Sequence, residues 1–265
     1  MHARFHAWLQ TPPGRYLQAW QRVEFDRAVV DVFGYHALQL GLPQLYTLEA
    51  NRMPHAWLAL DDAAELTQAV LTERTALLTD FEALPFPEAS LDLVTLPHTL
   101  ELSGDPHGAL REVQRVLVPE GRVVICGLNP VSLWGLRQRR GQLYQRFGWG
   151  VPYVPDAVEW IGHRRLRDWL RLLSFEVESV RFGCYRPAVG GLPWLERTAW
   201  MDRLGPRWWS IFGGIYFVVA VKRVRGIKLL GRAWKSSTIR AAAPVPVAKS
   251  AHSTGAETRK SIDFD

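Results

Sequence analysis

Asp80-Phe81-Glu82-Ala83-Leu84-Pro85-Phe86-Pro87-Glu88-Ala89-Ser90-Leu91-Asp92-Leu93-Val94 is the stretch that decides the fold. It opens on an acid that ends a short apolar run, Thr75–Asp80, which reads as a strand. Ala83–Pro87 carries two prolines in five residues and reads as a turn-rich loop. Leu91–Leu96 returns to strand-like apolar residues. A strand, an acidic strand end, a loop and a second strand therefore follow one another within about twenty residues.

The same alternation continues in both directions. Downstream, Asp105-Pro106 predicts a capped helix with Leu110, Val113, Val116 and Leu117 on one face. Pro119-Glu120-Gly121 predicts its break, and Arg122–Gly127 a further strand. Upstream, Tyr35–Gly41 reads as a strand that ends on glycine, Pro43–Asn51 as a short helix, and His55–Leu60 as a strand ending at Asp61-Asp62. Thr11-Pro12-Pro13-Gly14 predicts a helix start, with Leu17, Trp20, Val23, Ala28, Val29 and Val32 at mostly helical spacing. Beyond Gly127, His163–Leu173 reads as a helix, Phe175–Val180 as a strand and Gly214–Val221 as the last strand, the final two suiting an antiparallel pair at a sheet edge. Strands alternating with helices imply a mostly parallel sheet covered on both faces, with ligands bound at the carboxyl ends of the strands.

The quoted stretch resembles the signature of class I S-adenosylmethionine (SAM)-dependent methyltransferases of the type 11 kind. In that family an acid, an A-L-P-F loop and an [FL]-D-L-V strand occur in this order. The likeness continues through Leu96-Pro97-His98-Thr99-Leu100-Glu101, Asp105-Pro106, Leu110-Arg111-Glu112-Val113 and Val116–Arg122. It is dense over residues 75–130 and extends over 28–225. The resemblance implies an α/β fold, Rossmann-like and doubly wound, with a mostly parallel seven-stranded sheet and helices on both faces. It implies SAM as cofactor and methyl transfer as the reaction.

It also implies a site. Asp61, twenty residues after Gly41, would take the ribose diol; Asp80 would face the adenine amine, with Phe81 packing the base. Leu96 would line the cofactor side. The family's acid-x-G-x-G-x-G loop reads here Gln39-Leu40-Gly41-Leu42-Pro43-Gln44-Leu45, so Gln39 and Gly41 stand where an acid and the first glycine are expected. One glycine survives, and Pro43 has no N–H to offer. His98 follows the fourth strand and is a candidate general base or substrate contact; the alternative is a packed histidine at a helix start. Asn129 and Arg137 are candidate substrate contacts, with a plain turn and a solvated arginine as the alternatives. Asp61 and Asp80 have their own plain readings, a solvated strand-end acid and a turn cap.

The expected organisation is an N-terminal helical segment over 1–27, a methyltransferase-like domain over 28–225 with Trp/Arg-rich insertions at 131–160 and 184–210, and a disordered basic tail over 226–265. Eight of the 12 tryptophans lie between residues 134 and 209. Arg137, Arg139, Arg140 and Arg146 form one cluster; Arg164, Arg165, Arg167 and Arg171 form another. A substrate lid, a nucleic-acid surface and a membrane-facing patch compete with a small accessory core whose arginines are solvated or stacked outside. From Lys228 onward seven basic residues outweigh three acids, which accounts for +4 of the net +6. The remainder is nearly balanced, which argues against a nucleic-acid-binding domain. Cys126 and Cys184 suit reduced thiols in a cytoplasmic protein; neither has a metal-ligand spacing, so no metal is expected. Met1–Gln10 lacks the apolar run of a signal peptide. Three functions follow: a SAM-dependent methyltransferase acting on a small, quinone-like or lipid-like molecule, an inactive methyltransferase-like scaffold, and a nucleic-acid-associated protein.

Overall fold

The computed structural model describes residues 2–66, 74–145, 153–155 and 159–223. The expected tail over 226–265, along with Arg146 and Trp149 of the first Trp/Arg-rich segment, lies outside the described residues.

Helices α1 (His2–Leu9) and α2 (Pro12–Val29) come first. Thr11 caps α2 by accepting from the Gly14 N–H, and Pro12 sits in its first turn, where a missing N–H costs nothing. Leu17, Gln21, Phe25 and Val29, each four residues apart, form the buried row of α2. Val23, expected on the apolar face, is exposed. The helix is phased so that an amide, Gln21, lies within an otherwise apolar stripe.

The sheet holds β1 (His36–Leu40), β2 (His55–Leu60), β3 (Ala76–Leu78), β4 (Leu91–Pro97), β5 (Leu117–Leu128), β6 (Phe175–Gly183) and β7 (Ile215–Lys222). Its order is β3-β2-β1-β4-β5-β7-β6. The first five strands are parallel, and β7 runs antiparallel between β5 and β6. Alternate residues face alternate sides. Ala37, Leu93, Val124 and Phe217 join the core beneath α1 and α2. Leu38, Val94, Val123, Ile125 and Val218 join the opposite core with α4 (Pro106–Val116) and α6 (His163–Leu172). Leu110, Val113 and Val116 are fully buried there, each stabilising the fold by about 2 kcal/mol. Asp105 caps α4 through the His107 N–H, as its position before proline predicts.

Two expectations change. Residues 43–51 form turns rather than a helix, because the Gln39 side chain binds the backbone of this segment directly. Helix α4 ends at Val116, before the Pro119 break, and β5 begins at Leu117 with a register shift and a left-handed Glu120. The segment after β5 is partly helical: α5 covers Leu133–Gln145, anchored by the buried Trp134. The second Trp-rich segment contains α7 (Leu192–Arg197), α8 (Trp200–Trp208) and a 3-10 turn at Ser210–Phe212. Among the described residues no helix is long and apolar enough to cross a membrane.

Candidate functional site

The carboxyl ends of β1, β2, β3 and β4 lie side by side, since β1 is flanked by β2 and β4, and β2 by β3. Gly41, Asp61 and Asp80 follow the ends of β1, β2 and β3, and His98 follows β4. Gly41 leaves β1 with φ at +73°, a left-handed conformation that favours glycine. Its N–H donates to the Ala59 carbonyl at 2.7 Å, holding the turn against β2. Leu42 follows, also left-handed, and is buried.

The turn is organised by Gln39, itself buried. Its amide nitrogen faces the carbonyls of Gly41 at 3.0 Å, Leu42 at 3.0 Å and Leu45 at 2.7 Å. Its amide oxygen accepts from the Thr47 N–H at 3.1 Å and the Thr47 hydroxyl at 3.0 Å. Thr47 in turn meets Thr95 of β4 at 2.6 Å. An amide both donates and accepts, so a single side chain fixes both ends of the loop.

Phe81 closes onto this turn. A Cβ on Gly41 would lie 3.6 Å from Phe81 Cζ and 3.8 Å from Thr99 Oγ1, ordinary contact distances. Phe81 is buried in the core on the α4 side. Asp61 and Asp80 follow the paired ends of β2 and β3, where Leu60 aligns with Leu78, and both are exposed. Asp80 Oδ1 accepts from the Glu82 N–H at 2.9 Å, a turn cap that leaves the carboxylate at the surface. Leu96 is buried within β4.

His98 takes a different place. It is buried and left-handed, with φ at 57°, at the start of α3 (Thr99–Leu102). Its Nδ1 lies 2.6 Å from Glu101 Oε2, and its Nε2 lies 2.6 Å from the Gln21 amide nitrogen of α2. With the amide in this orientation its nitrogen donates to Nε2, and Nδ1 faces Glu101. Gln21 also donates to Cys126 Sγ at 3.0 Å, and Glu101 Oε1 accepts the Leu128 N–H. Burial pushes the Glu101 carboxyl above its ordinary range, partly offset by His98 and the Leu128 N–H. Phe5 of α1 closes the cluster edge-on to His98 at 5.2 Å. Gln21, Glu101 and Thr47 went unmarked at the level of sequence. The three-residue spacing of His98 and Glu101, and the position of Gln21 four residues from both Leu17 and Phe25, were the available signals.

Asn129 is buried at the end of β5 and donates to the Ile211 carbonyl at 2.7 Å and the Gly213 carbonyl at 2.9 Å. Arg137 is exposed on α5, its guanidinium 5.0 Å from the Tyr153 ring centre. The strand ends thus bring Gln39, Gly41, Phe81, Asp61 and Asp80 to one edge, whereas His98 and Asn129 face the protein interior. Among the described residues no group of acids, histidines and cysteines could hold a metal ion.

A family profile described as a methyltransferase domain matches residues 41–125, which begin at the Gly41 turn and end within β5. The uncharacterized protein YafS of Escherichia coli is 32% identical over 64% of this chain, and the match spans 65% of that protein, just under two thirds of its length. A demethylmenaquinone methyltransferase of Clavibacter sepedonicus is 30% identical over 60% of this chain and 72% of its own length. Among solved structures, a SAM-dependent methyltransferase of Thermotoga maritima, described as a possible histamine N-methyltransferase, shares the fold with a TM-score of 0.58 at 12% identity, covering 84% of this chain and 94% of its own. Sheet order, family profile and relatives agree: the chain belongs to the class I SAM-dependent methyltransferase family.

Proposed function

We propose that this protein transfers a methyl group from SAM to a small, largely apolar acceptor. The observation that carries the reading is the pair of exposed carboxylates, Asp61 and Asp80, on paired strand ends beside the Gly41 turn. These residues fit the adenosyl half of SAM. Asp61 would accept from the ribose hydroxyls and Asp80 from the adenine amine, two charge-assisted contacts. At the methionine half, the Gln39 amide and the Gly41 N–H are already committed within the turn, so recognition there falls to other groups.

SAM, when bound, supplies an electrophilic methyl on a cationic sulfur. The contribution of the chain is positional: transfer to a competent nucleophile needs in-line approach and exclusion of water more than proton transfer. His98 is a positioning residue in this reading. Both its ring nitrogens are engaged, and Phe5 and Gln21 cover it, so it holds the end of β4 against α2. An apolar acceptor suits a chain whose relatives include proteins named for quinone methylation.

Calorimetric titration of the full chain with SAM and S-adenosylhomocysteine tests the reading. Binding is expected, weakened about tenfold by Asp61→Asn or by Asp80→Asn, the equivalent of about 1.4 kcal/mol each. No heat with either ligand at millimolar concentration overturns it. A second reading, a scaffold that keeps the fold without the reaction, is favoured by the closed Gln39–Thr47 turn. Labelled methyl transfer from SAM to any component of a cell extract removes it.

A further inference from the structure

Helix α8 is apolar on the wrong side for a core helix. Trp200, Leu204 and Trp208 lie four residues apart, on one stripe, and are 53%, 42% and 72% exposed. The inward side is polar or small. Asp202 accepts the Tyr16 hydroxyl and pairs with Arg186 at 2.7 Å. Gly205 is buried so closely that a Cβ would lie 2.3 Å from the Tyr185 ring. The helix is therefore seated through Asp202 and Gly205 and cannot roll its tryptophans inward without breaking that seat.

The stripe is not isolated. The Asn129 side chain accepts from the Val131 N–H at 3.1 Å and donates to the Ile211 carbonyl at 2.7 Å, which brings two further exposed apolar runs together, Val131/Leu133 and Ile211/Phe212. Trp194 of α7 is 60% exposed. Exposed apolar side chains gathered along one helix and the turn that follows it mark an interaction site.

The charge around the patch selects the occupant. Arg203 and Arg207 follow Trp200 by three and seven residues and flank the stripe, and Arg197 precedes it. The one acid of α8, Asp202, is turned inward, and exposed Glu196 stands against these three arginines. Helix α5, which starts at the Leu133 corner, carries Arg137, Arg139 and Arg140 and contains no acid. Tryptophan flanked by arginine is the composition of a helix lying in a bilayer interface, where indoles rest at headgroup depth and guanidinium groups meet anionic lipid. We infer that α8, with the Val131 and Ile211 corners, docks this protein on the surface of an anionic membrane, lying on it rather than crossing it. Lipid partition and SAM binding are separate measurements, so either can fail alone.

Flotation of the full chain with phosphatidylcholine vesicles, with and without about 30 mol% phosphatidylglycerol, is the test. Binding is expected to the anionic vesicles. It should fall about tenfold or more in Trp200→Ser/Trp208→Ser, with an unchanged thermal midpoint, because both side chains are exposed. Leu204→Glu, at a third position on the stripe, should repeat the loss should the double variant fold poorly. Arg203→Gln/Arg207→Gln should remove the preference for phosphatidylglycerol. Wild-type partition retained in both stripe variants would overturn the inference and assign lipid binding to the basic residues beyond 226. A stripe variant that changes oligomeric state and leaves partition alone would overturn it in favour of a second copy as the occupant. Absence of the wild-type chain from the floated fraction would overturn it outright.

Discussion

His98 Nδ1 and Glu101 Oε2 lie 2.6 Å apart, and both side chains are sealed from solvent beneath α2. Glu101 is thereby placed to hold three things at once: the imidazole, the Leu128 N–H at the end of β5, and through His98 the Gln21 amide. The ends of β4 and β5 and the N-terminal helix are tied at one point.

A pH signature follows from this burial. The folded Glu101 carboxyl titrates above the ordinary value of 4.5, chiefly because burial disfavours its charge. As pH rises past 4.5 the unfolded chain releases this proton while the folded chain keeps it, so stability falls across that window. The stability of wild type minus that of Glu101→Gln, from urea midpoints, should decline as pH rises from 4.5, by up to about 1.4 kcal/mol per pH unit. A flat or rising difference contradicts the burial assignment.

Gln39→Glu would restore the acid of the family signature and should nonetheless harm the protein. A carboxylate can accept from Thr47 but cannot donate to the Gly41, Leu42 and Leu45 carbonyls, which would then face a buried negative charge. A loss of about 3 kcal/mol is expected in chemical denaturation, without tighter SAM binding. A stable Gln39→Glu variant with improved affinity would show that the turn rearranges around ligand.

Asn129 should behave as a clasp. Asn129→Leu removes two donations and one acceptance from a buried site and strands the Ile211 and Gly213 carbonyls. A cost of about 2 kcal/mol is expected, read as a drop in thermal midpoint of about 6 °C, with faster proteolysis near the 3-10 turn. An unchanged midpoint would mean that Trp134 alone anchors the segment.

Cys126 and Cys184 are buried, and burial drives both thiols well above their ordinary range. Neither should react with Ellman's reagent in the folded protein at about pH 8, where an exposed thiol has substantial thiolate. Both should react once guanidinium unfolds the chain. Labelling of Cys126 in the native state would show that α2 lifts from the sheet.

Much of the fold is legible because its causes are local. His55–Leu60 is bounded as a strand by the Asp61-Asp62 that follows it, and β2 runs from His55 to Leu60. Asp105-Pro106 signals its own helix start, since cap and first turn are adjacent in the chain. The antiparallel pair at the edge is likewise found, with β7 between β5 and β6. The Pro43–Asn51 segment is misread because its conformation depends on a side chain four residues upstream of the proline. Val23 is misread because both faces of α2 carry apolar residues, and the docking surface, not the helix, chooses between them.

From its sequence alone, then, the chain determines the order and kind of its strands, the acids at their ends and the family they signal, since alternation and caps act within a few residues of one another. Tertiary structure alone decides which polar groups turn inward. Gln21 meets His98 across 77 residues, Tyr16 meets Asp202 across 186, and the tryptophans of α8 face outward because Gly205 fits Tyr185. A buried amide or imidazole takes whatever partner the packed chain delivers, because leaving it unpaired costs about 1–3 kcal/mol, and that partner is a property of the assembled layers rather than of the neighbouring residues.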